Sequence, residues 1–310
     1  MALPPTRLQV PKWAFYQGEV RPYLDAKFHI ASEAVVRGLN VFEGLKGFWQ
    51  PDGSFGLLAL PRHWKRMRQS AKLLHIPFEM SLEEWIDANH AIVEALYEPE
   101  RNMWIRATLY VTEGHWGENT VSDLVLTAFH YPKGAPQPIH TGVSTWQRAT
   151  DQTVPYRIKT STNYQVARLA KIEGRERGYP EMLLLNQHGR LSESIGSAVL
   201  VVRDGTILTP PYWEGAIESI TVDILEALAQ DLGIPFQRRP IDRTELIIAD
   251  EMAVTGTMND IIPIASLDGM AFGPQSVLKR LSDRYFAACE GRAPHPAADL
   301  SIRPRVVRKD

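Results

Sequence analysis

The chain has 310 residues, of which 44% are apolar and 23% charged, and its formal net charge is −2. This length suits two domains of ordinary size, and the nearly balanced charge gives no reason to expect nucleic acid or an anionic membrane as a partner. A single cysteine, Cys289, rules out an intrachain disulfide, so we predict a cytoplasmic protein. Its apolar runs are far shorter than a membrane span and its histidines lack metal-binding spacing, so we expect no membrane and no metal.

The first half of the chain is predicted to mix strands and helices. Apolar and polar residues alternate from Lys27 to Ile30 and from Val41 to Trp49, which is typical of strands. Apolar residues at helical spacing predict a helix from about Pro61 to His75, with Arg66 on its surface side. The same patterns predict a second helix and two strands, at Leu82 to Leu96, Met103 to Thr112 and Asp123 to Tyr131.

Residues 132–141, rich in proline and glycine, are the predicted linker between an N-terminal α/β domain (1–131) and a C-terminal α/β domain (142–310). The C-terminal domain is predicted to contain four main strands, at Gly142 to Arg148, Met182 to Asn186, Ala198 to Arg203 and Glu251 to Gly256. Its predicted helices are Tyr164 to Arg177, Thr221 to Leu232 and Pro274 to Cys289. The tail from Gly291 to Asp310 is rich in proline and charge, which is typical of a partly disordered segment.

Several short segments of the second half together supply the groups that pyridoxal phosphate (PLP) needs. Lys159 offers an amine for a Schiff base, and Tyr164 offers a hydroxyl at the start of a helix. Glu193, followed by Gly196, offers a carboxylate for the ring nitrogen. If Glu193 is buried, it needs a cationic partner. Taken singly, the three side chains have plainer interpretations as a solvated lysine, a half-buried aromatic residue and a turn glutamate.

Two segments and one arginine are candidate phosphate ligands. Ser219-Ile220-Thr221 opens a helix, so free N–H groups at its positive end can face a dianion, although Ser219 could simply cap the helix. Thr255-Gly256-Thr257 follows a strand, and its hydroxyls could donate to phosphate, although many such turns bind nothing. Arg66 would be a permanently charged, bidentate partner.

With these residues in this order, the chain resembles the class IV PLP-dependent aminotransferases, and among them the branched-chain amino acid aminotransferases. The resemblance runs from about Tyr23 to Gly269 and rests jointly on GLNVFEGLKGFW, HWKRMRQSAKLL, NYQVARLAKIEGRERGY, LSESIGSAVLVV, SITVDILEALAQDLGI and ADEMAVTGT. It implies the two-domain α/β fold type IV, like that of D-amino acid aminotransferase. It also implies a homodimer or larger homo-oligomer in which partner-chain residues enter each site.

The resemblance further implies a role for each candidate. Lys159 would be the catalytic Schiff-base lysine, Glu193 the pyridinium partner and Tyr164 the partner of the phenolate oxygen. The other cofactor-binding residues would be Ile217, packed on the ring, Gly196 beside Glu193, and the phosphate ligands Arg66, Ile220, Thr221 and Thr257.

Four departures from the family pattern concern the substrate side. Arg37 and Trp104 replace tyrosines of the branched-chain enzymes, Met258-Asn259 replaces two small residues, and His130-Tyr131-Pro132 does not match the usual aromatic rim. A planar guanidinium suits a carboxylate, so we expect Arg37 or Arg106 to bind one. Phe42 and Trp104 would supply apolar walls, and N–H groups near Met258 are the next candidates for the carboxylate.

The predicted activity is transfer of an amino group between an amino acid, in first place a branched-chain or other aliphatic one, and a 2-oxo acid such as 2-oxoglutarate. Arg37 leaves open a D-amino acid or (R)-amine aminotransferase on the same scaffold. An aminodeoxychorismate-type lyase is a third alternative. The alternative from another class is a non-catalytic binding protein of the same fold.

Overall fold

The computed structural model describes residues 10–131 and 136–303. They form two compact units, and each unit is discontinuous in sequence. The N-terminal unit contains residues 10–131, 158–162 and 287–303, and the C-terminal unit contains 136–157 and 163–286. This division differs from the expected one, because Lys159 and the end of the chain group with the first half. Of the proposed linker, residues 132–135 lie outside the described residues, and the last three already belong to a strand.

The N-terminal unit is built on an antiparallel sheet. With elements numbered in chain order, its strands are β1 (Trp13–Tyr16), β2 (Glu19–Pro22), β3 (Asn40–Trp49), β4 (Phe55–Leu58), β5 (Asn102–His115), β6 (Glu118–Tyr131) and β16 (Leu300–Arg303). Within the described residues the strand order is β16-β4-β3-β5-β6-β1-β2. Strands β3 and β5 pair from Asn40 opposite Tyr110 to Gly47 opposite Met103, which places their side chains in fixed register.

Helices of the N-terminal unit cover this sheet, and they are α1 (Glu33–Val36), α2 (Leu60–Leu73) and α3 (Leu82–Leu96). Helix α3 begins with a capping box, in which Ser81 Oγ accepts the Glu84 N–H and the Glu84 carboxylate accepts the Ser81 N–H. Met67 of α2 and Trp85 of α3 pack with Ile105 of β5 in one buried core. The apolar faces predicted from periodicity therefore point into this core.

The C-terminal unit is built on a mixed sheet. Its strands are β7 (Ile139–Gln147), β8 (Glu181–Leu185), β9 (Leu191–Ser194), β10 (Ala198–Arg203), β11 (Thr206–Thr209), β12 (Phe236–Arg238), β13 (Glu251–Gly256), β14 (Asp260–Leu267) and β15 (Met270–Ala271). Among the described residues the order is β12-β11-β10-β13-β14-β7-β8-β9, and β15 pairs with β14. The β11–β12, β14–β7 and β7–β8 pairs are parallel.

The remaining helices are α4 (Gln165–Glu176), α5 (Ile220–Asp231), α6 (Arg243–Ile247) and α7 (Ser276–Cys289). Gly178 and Gly233, with φ of 79° and 65°, follow the ends of α4 and α5 in the left-handed conformation that glycine adopts without strain. The core of the C-terminal unit contains Leu183, Val199 and Val254 from the sheet. No helix within residues 10–131 and 136–303 is long and apolar enough to cross a membrane.

Most predicted elements are confirmed within a residue or two, but one predicted strand is wrong, and part of the predicted tail is ordered. Lys27 to Ile30 is not a strand, and Phe28 instead packs edge-on against Tyr110 with ring centroids 4.6 Å apart. All four residues of this segment are exposed, with Phe28 at 50% and Ile30 at 82%, so the alternation does not mark a face buried on the sheet. The tail is not disordered over β16, which pairs with β4 and contributes Ser301 to a 2.8 Å hydrogen bond with His90. Residues 304–310 lie outside the described residues.

Candidate active site

Helix α2 buries a polar face as well as an apolar one. His63, Arg66 and Ser70 recur at helical spacing, so they lie on one side of the helix, and all three are buried. Arg66 is only 8% exposed, so the prediction that it lies on the helix surface is wrong. Periodicity finds an apolar stripe, whereas a polar stripe is buried only if its groups find partners.

Glu43 on β3 is that partner, and no role was predicted for it. Arg66 donates to both of its carboxylate oxygens, from Nε at 2.8 Å and from Nη2 at 2.7 Å. His63 Nδ1 lies 2.7 Å from Glu43 Oε2. Burial by itself would raise the pKa of Glu43, but Arg66 and His63 together lower it to about 2. Burial lowers the pKa of His63, so a neutral imidazole donates its Nδ1–H to an ionised carboxylate.

Lys159 is half-buried in the N-terminal unit and is held through its backbone. Its N–H donates to Ser70 Oγ at 3.1 Å, and its carbonyl accepts the Phe42 N–H at 2.8 Å. Its Nζ lies 5.0 Å from the centroid of the Phe42 ring. Ser70 follows Arg66 by one helical turn, so α2 positions both the candidate amine and the candidate phosphate cation. This arrangement is not that of a solvated surface lysine.

Arg106 belongs to the same cluster as Lys159. Its guanidinium carbon lies 4.6 Å from the Phe42 ring centroid and 4.9 Å from that of Trp104. The register of β3 and β5 sets this arrangement, with Gly44 opposite Arg106. A Cβ at Gly44 would lie 3.2 Å from Trp104 Nε1, so glycine makes room for the indole. The structure thus brings together Lys159, Phe42, Trp104 and Arg106.

Arg37 has a different set of partners. It follows α1, and its Nη1 donates to Glu33 Oε1 at 3.1 Å. Its guanidinium carbon lies 4.5 Å from the centroid of the Trp116 ring, and the Trp116 N–H donates to the same Glu33 oxygen at 2.9 Å. Of the two candidate carboxylate ligands, Arg106 therefore shares a ring neighbour with Lys159, while Arg37 ties α1 to the β5–β6 hairpin.

In the C-terminal unit, Glu193 is buried and paired. It lies on β9 at 5% exposure, with Arg148 Nη2 2.7 Å from Oε1. The Ile217 N–H donates to Oε2 at 3.1 Å. A buried glutamate was expected to need a cation, and Arg148 is that cation. Arg148 itself was missed, because an arginine at the end of a strand such as β7 is in most proteins a solvent-exposed residue.

Ile217 and Tyr164, the other two predicted contacts of the cofactor ring, lie in a cavity wall and in a helical turn. Ile217 lines a cavity of about 200 Å³ together with Ala198 and Ser219. Tyr164 ends a short 3₁₀ turn at the start of α4, and the preceding Asn163 fixes that turn by donating to the Pro155 carbonyl at 2.8 Å. Each predicted ring contact therefore lies in an ordered turn or loop.

Gly196 lies in the exposed turn that joins β9 to β10. The Ser194 N–H donates to the Ser197 carbonyl at 2.8 Å, and the Ser197 N–H donates to Ser194 Oγ at 3.1 Å. A Cβ at Gly196 would meet no atom within 4 Å, so packing within the described chain does not require glycine here.

The start of α5 has the geometry of an anion site. Ser219 caps the helix, since its Oγ accepts the Val222 N–H at 3.3 Å and its carbonyl accepts the Asp223 N–H at 3.2 Å. Helix geometry leaves the N–H groups of Ile220 and Thr221 without an acceptor inside the helix. Capping by Ser219 and binding of an anion by these two N–H groups are therefore compatible.

The predicted Thr255–Thr257 cradle is a tight connection between β13 and β14. Gly256 lies opposite Asp260, and Thr255 Oγ1 donates to the Asp260 carbonyl, so that hydroxyl is used by the fold. Thr257 and Met258 lie in the turn itself. Asn259 Nδ2 donates to Ser197 Oγ at 2.7 Å, which ties this turn to the residues just after Glu193. Of the two threonines, Thr257 remains the candidate phosphate ligand.

The donor chemistry of the two units fits PLP. The N-terminal unit supplies an amine at Lys159 and a buried guanidinium at Arg66. The C-terminal unit supplies a buried carboxylate at Glu193 and, at the start of α5, N–H groups that could bind an anion. A Schiff base, a phosphate dianion and a pyridine nitrogen need these four kinds of group.

Comparisons with known proteins agree with this chemistry. The family model for amino-transferase class IV matches residues 40–267. A branched-chain-amino-acid aminotransferase of Salmonella typhimurium is 31% identical over 293 residues, covering 90% of this chain and 93% of the relative.

Solved structures are also similar over nearly the whole chain. A branched-chain aminotransferase from Thermoproteus uzoniensis with norvaline has a TM-score of 0.89 at 26% identity. The match covers 94% of this chain and 98% of the Thermoproteus chain. A T.th. branched-chain amino acid aminotransferase complexed with N-(5'-phosphopyridoxyl)-L-glutamate has a TM-score of 0.86 at 26% identity, covering 95% and 99%. The predicted fold class and enzyme class are confirmed. This chain belongs to the class IV aminotransferases.

Proposed function

We propose that this aminotransferase uses PLP to transfer amino groups between branched-chain amino acids and 2-oxoglutarate. The names of its relatives support the first substrate class. The structure with a phosphopyridoxyl derivative of L-glutamate supports the second, because glutamate is what 2-oxoglutarate becomes on amination. Class IV aminotransferases use PLP, and the donor groups described above suit it.

The observation that carries this proposal is the buried polar face of α2. Arg66 and Ser70 lie one turn apart, Arg66 is fixed by Glu43, and Ser70 Oγ accepts the backbone N–H of Lys159. One rigid helix thereby fixes a charged group for the phosphate relative to the amine that would hold the aldehyde carbon. Positioning of reacting groups by rigid elements is a major part of catalysis.

Bound PLP would supply the electron sink for loss of the Cα proton. Lys159 Nζ would act as the base that removes this proton and as the acid that returns it at the cofactor's C4′. Glu193 would accept the ring N–H, and the Tyr164 hydroxyl would donate to the phenolate oxygen. Arg66, Thr257 and the N–H groups of Ile220 and Thr221 would hold the phosphate.

Arg106 is the proposed carboxylate ligand. Its guanidinium lies against the Phe42 ring, and the Lys159 amine lies near the same ring. A substrate with its Cα beside Lys159 would therefore have its carboxylate within reach of a planar, permanently charged group. Phe42 and Trp104 would give an aliphatic side chain apolar surface to cover.

We also propose that the protein is a homodimer or larger homo-oligomer in the cytoplasm. Leu24, Ile30, Val36 and Trp116 of the N-terminal unit are exposed, with Ile30 at 82% and Trp116 at 74%. Glu33 joins α1 to Trp116 through its carboxylate, so the helix that carries Val36 lies beside the β5–β6 hairpin. Exposed apolar patches of this kind are typical of interaction surfaces, and a second copy of the chain is the proposed occupant.

The test is a substrate screen of the purified protein with PLP. L-Leucine, L-isoleucine and L-valine should yield their 2-oxo acids with 2-oxoglutarate as acceptor, and borohydride should trap PLP on Lys159. Conversion of only D-amino acids or (R)-amines would favour the alternative specificity. Product release without any acceptor would favour a lyase. Trapping on another lysine would contradict the assignment of Lys159. Lys72→Ala is the matched control for Lys159→Ala, because Lys72 is an exposed lysine of α2.

A further inference from the structure

Arg148 joins three separate segments of the C-terminal unit. Its Nη2 lies 2.7 Å from Glu193 Oε1 on β9. Its Nε donates to the Gly215 carbonyl at 3.2 Å, and its Nη1 donates to the Asn163 carbonyl at 3.4 Å. The side chain is 9% exposed. One guanidinium thus uses all three of its nitrogens on segments that are far apart in sequence.

Each of these segments carries a residue proposed to contact the cofactor ring. Glu193 would face the ring nitrogen, Tyr164 directly follows Asn163, and Ile217 lies two residues after Gly215. The Ile217 N–H also binds the second oxygen of Glu193. Gly215 adopts φ of 92°, and a Cβ there would lie 3.0 Å from Ser192 Oγ, so both the backbone conformation and the packing favour glycine.

The charge of Arg148 matters because Glu193 is buried. A buried carboxylate without a cationic partner is energetically costly, and taking a proton from an adjacent ring nitrogen would relieve that cost. A neutral pyridine withdraws electrons from Cα less strongly than a pyridinium. An arginine in contact compensates the charge of such a carboxylate, so its burial does not require the ring proton.

We propose that Arg148 is a positioning residue that compensates the buried charge of Glu193 and orients its carboxylate towards the ring, so that the proton shared with the cofactor stays on the ring nitrogen. This inference rests on the proposed use of PLP. A second consequence is that Arg148 aligns the Tyr164 turn and the Ile217 loop with Glu193. Both effects follow from one buried side chain that does not itself need to touch the cofactor.

The experiment compares wild type, Arg148→Met, Arg148→Gln and Arg148→Lys, each loaded with PLP labelled with ¹⁵N at the ring nitrogen. Arg177→Met is the matched control, because Arg177 also bridges three groups of the C-terminal unit, at Glu173, Asp268 and the Val143 carbonyl. The ¹⁵N chemical shift reports protonation of the ring, and steady-state kinetics report kcat and KM.

We expect a pyridinium signal in wild type and in Arg177→Met, and a shift towards the unprotonated nitrogen in the Met and Gln variants. Their kcat should fall by about 10- to 100-fold, as is typical when a group supporting a bound centre is lost. Arg148→Lys keeps the charge, so its ring nitrogen should stay protonated while kcat falls less.

Three results distinguish an error in the proposed function, an error in the role of Arg148 and misfolding of a variant. If wild type does not bind PLP, the proposed function itself is wrong. If wild type shows a pyridinium and the Met or Gln variant shows the same signal, the role of Arg148 is overturned. If Arg148→Met does not fold, the Gln variant, which can still donate to Glu193 without a charge, decides the question by the same signal.

Discussion

At the scale of single residues, the two candidate anchors of the cofactor are both ionic groups buried with a partner of opposite charge. Arg66 is paired with Glu43, and Glu193 is paired with Arg148. Removing one member of such a pair leaves an uncompensated charge, which costs about 3 to 5 kcal/mol. Single substitutions here therefore mix a loss of function with a loss of stability, and paired variants are needed to separate them.

Arg66→Ala should weaken PLP binding by about 10- to 150-fold, because it removes charge-assisted hydrogen bonds of roughly 1.5–3 kcal/mol. It should also lower the free energy of unfolding, since Glu43 is left without its cation. The double variant Arg66→Ala with Glu43→Gln should recover stability but not PLP affinity. Titration with PLP and urea unfolding measure the two effects. Unchanged PLP affinity in Arg66→Ala would assign Arg66 a purely structural role.

Arg106→Ala should raise KM for 2-oxoglutarate far more than KM for a simple amine, because it removes the proposed carboxylate ligand. Arg37→Ala is the comparison, since the contacts of Arg37 with Glu33 and Trp116 give it a separate position. The measurement is steady-state kinetics with both substrate classes. An Arg37 variant with the larger effect on the acceptor KM would reverse this assignment.

At the scale of elements, α2 does more than cover the sheet. Its apolar side contributes Met67 and Ala71 to the core, and its polar side contributes His63, Arg66 and Ser70. A helix that is buried on two sides can move only if both sets of contacts break. Strand β16 shows a related effect, since pairing with β4 orders a segment whose composition resembles that of a disordered tail.

The stability of the protein should depend on pH through Glu43, which joins α2 to β3. Its pKa falls from the usual 4.5 to about 2 in the folded state. A depressed folded-state pKa means stability that is fully present above about pH 4.5 and is lost as the pH falls towards 2. Urea unfolding between pH 6 and pH 3 measures this loss. Glu43→Gln should flatten the pH dependence below 4.5, and an unchanged slope in this variant would exclude Glu43 as its source.

At the scale of the whole molecule, the chain folds into two units, and each unit is made of stretches that are not continuous in sequence. Residues 158–162, which carry Lys159, belong to the N-terminal unit, although Arg157 and Asn163 on either side belong to the C-terminal unit. A short loop at Lys159 is thereby fixed by Ser70 and Phe42, rather than by its neighbours in sequence.

The proposed homo-oligomer can be tested at its exposed apolar side chains. Ile30→Glu places a charge where a second copy would bury an apolar group, so sedimentation should show a shift towards the monomer. Ile248→Glu is the control, because Ile248 is also exposed but lies in the C-terminal unit. Equal mass for Ile30→Glu and wild type would place the interface elsewhere.

Local features of this protein were predictable from sequence because they depend on neighbours within a few residues. The helix at Leu82–Leu96, the strand at Glu251–Gly256 and the cap at Ser219 all follow from periodicity and end residues. The motifs, taken in order, also identified the family and its cofactor chemistry. Even the need of a buried Glu193 for a cation follows from elementary electrostatics.

Only the tertiary structure decided which residue pairs with each buried polar group. Arg148 lies 45 positions before Glu193, and Glu43 lies 23 positions before Arg66, so no periodic pattern links the members of either pair. Only the path of the chain brings their charges together. The same holds for Lys159, whose hydrogen-bond partner Ser70 is 89 residues away. Periodicity reports which face of an element is apolar, whereas the pairing of buried polar groups depends on which elements meet.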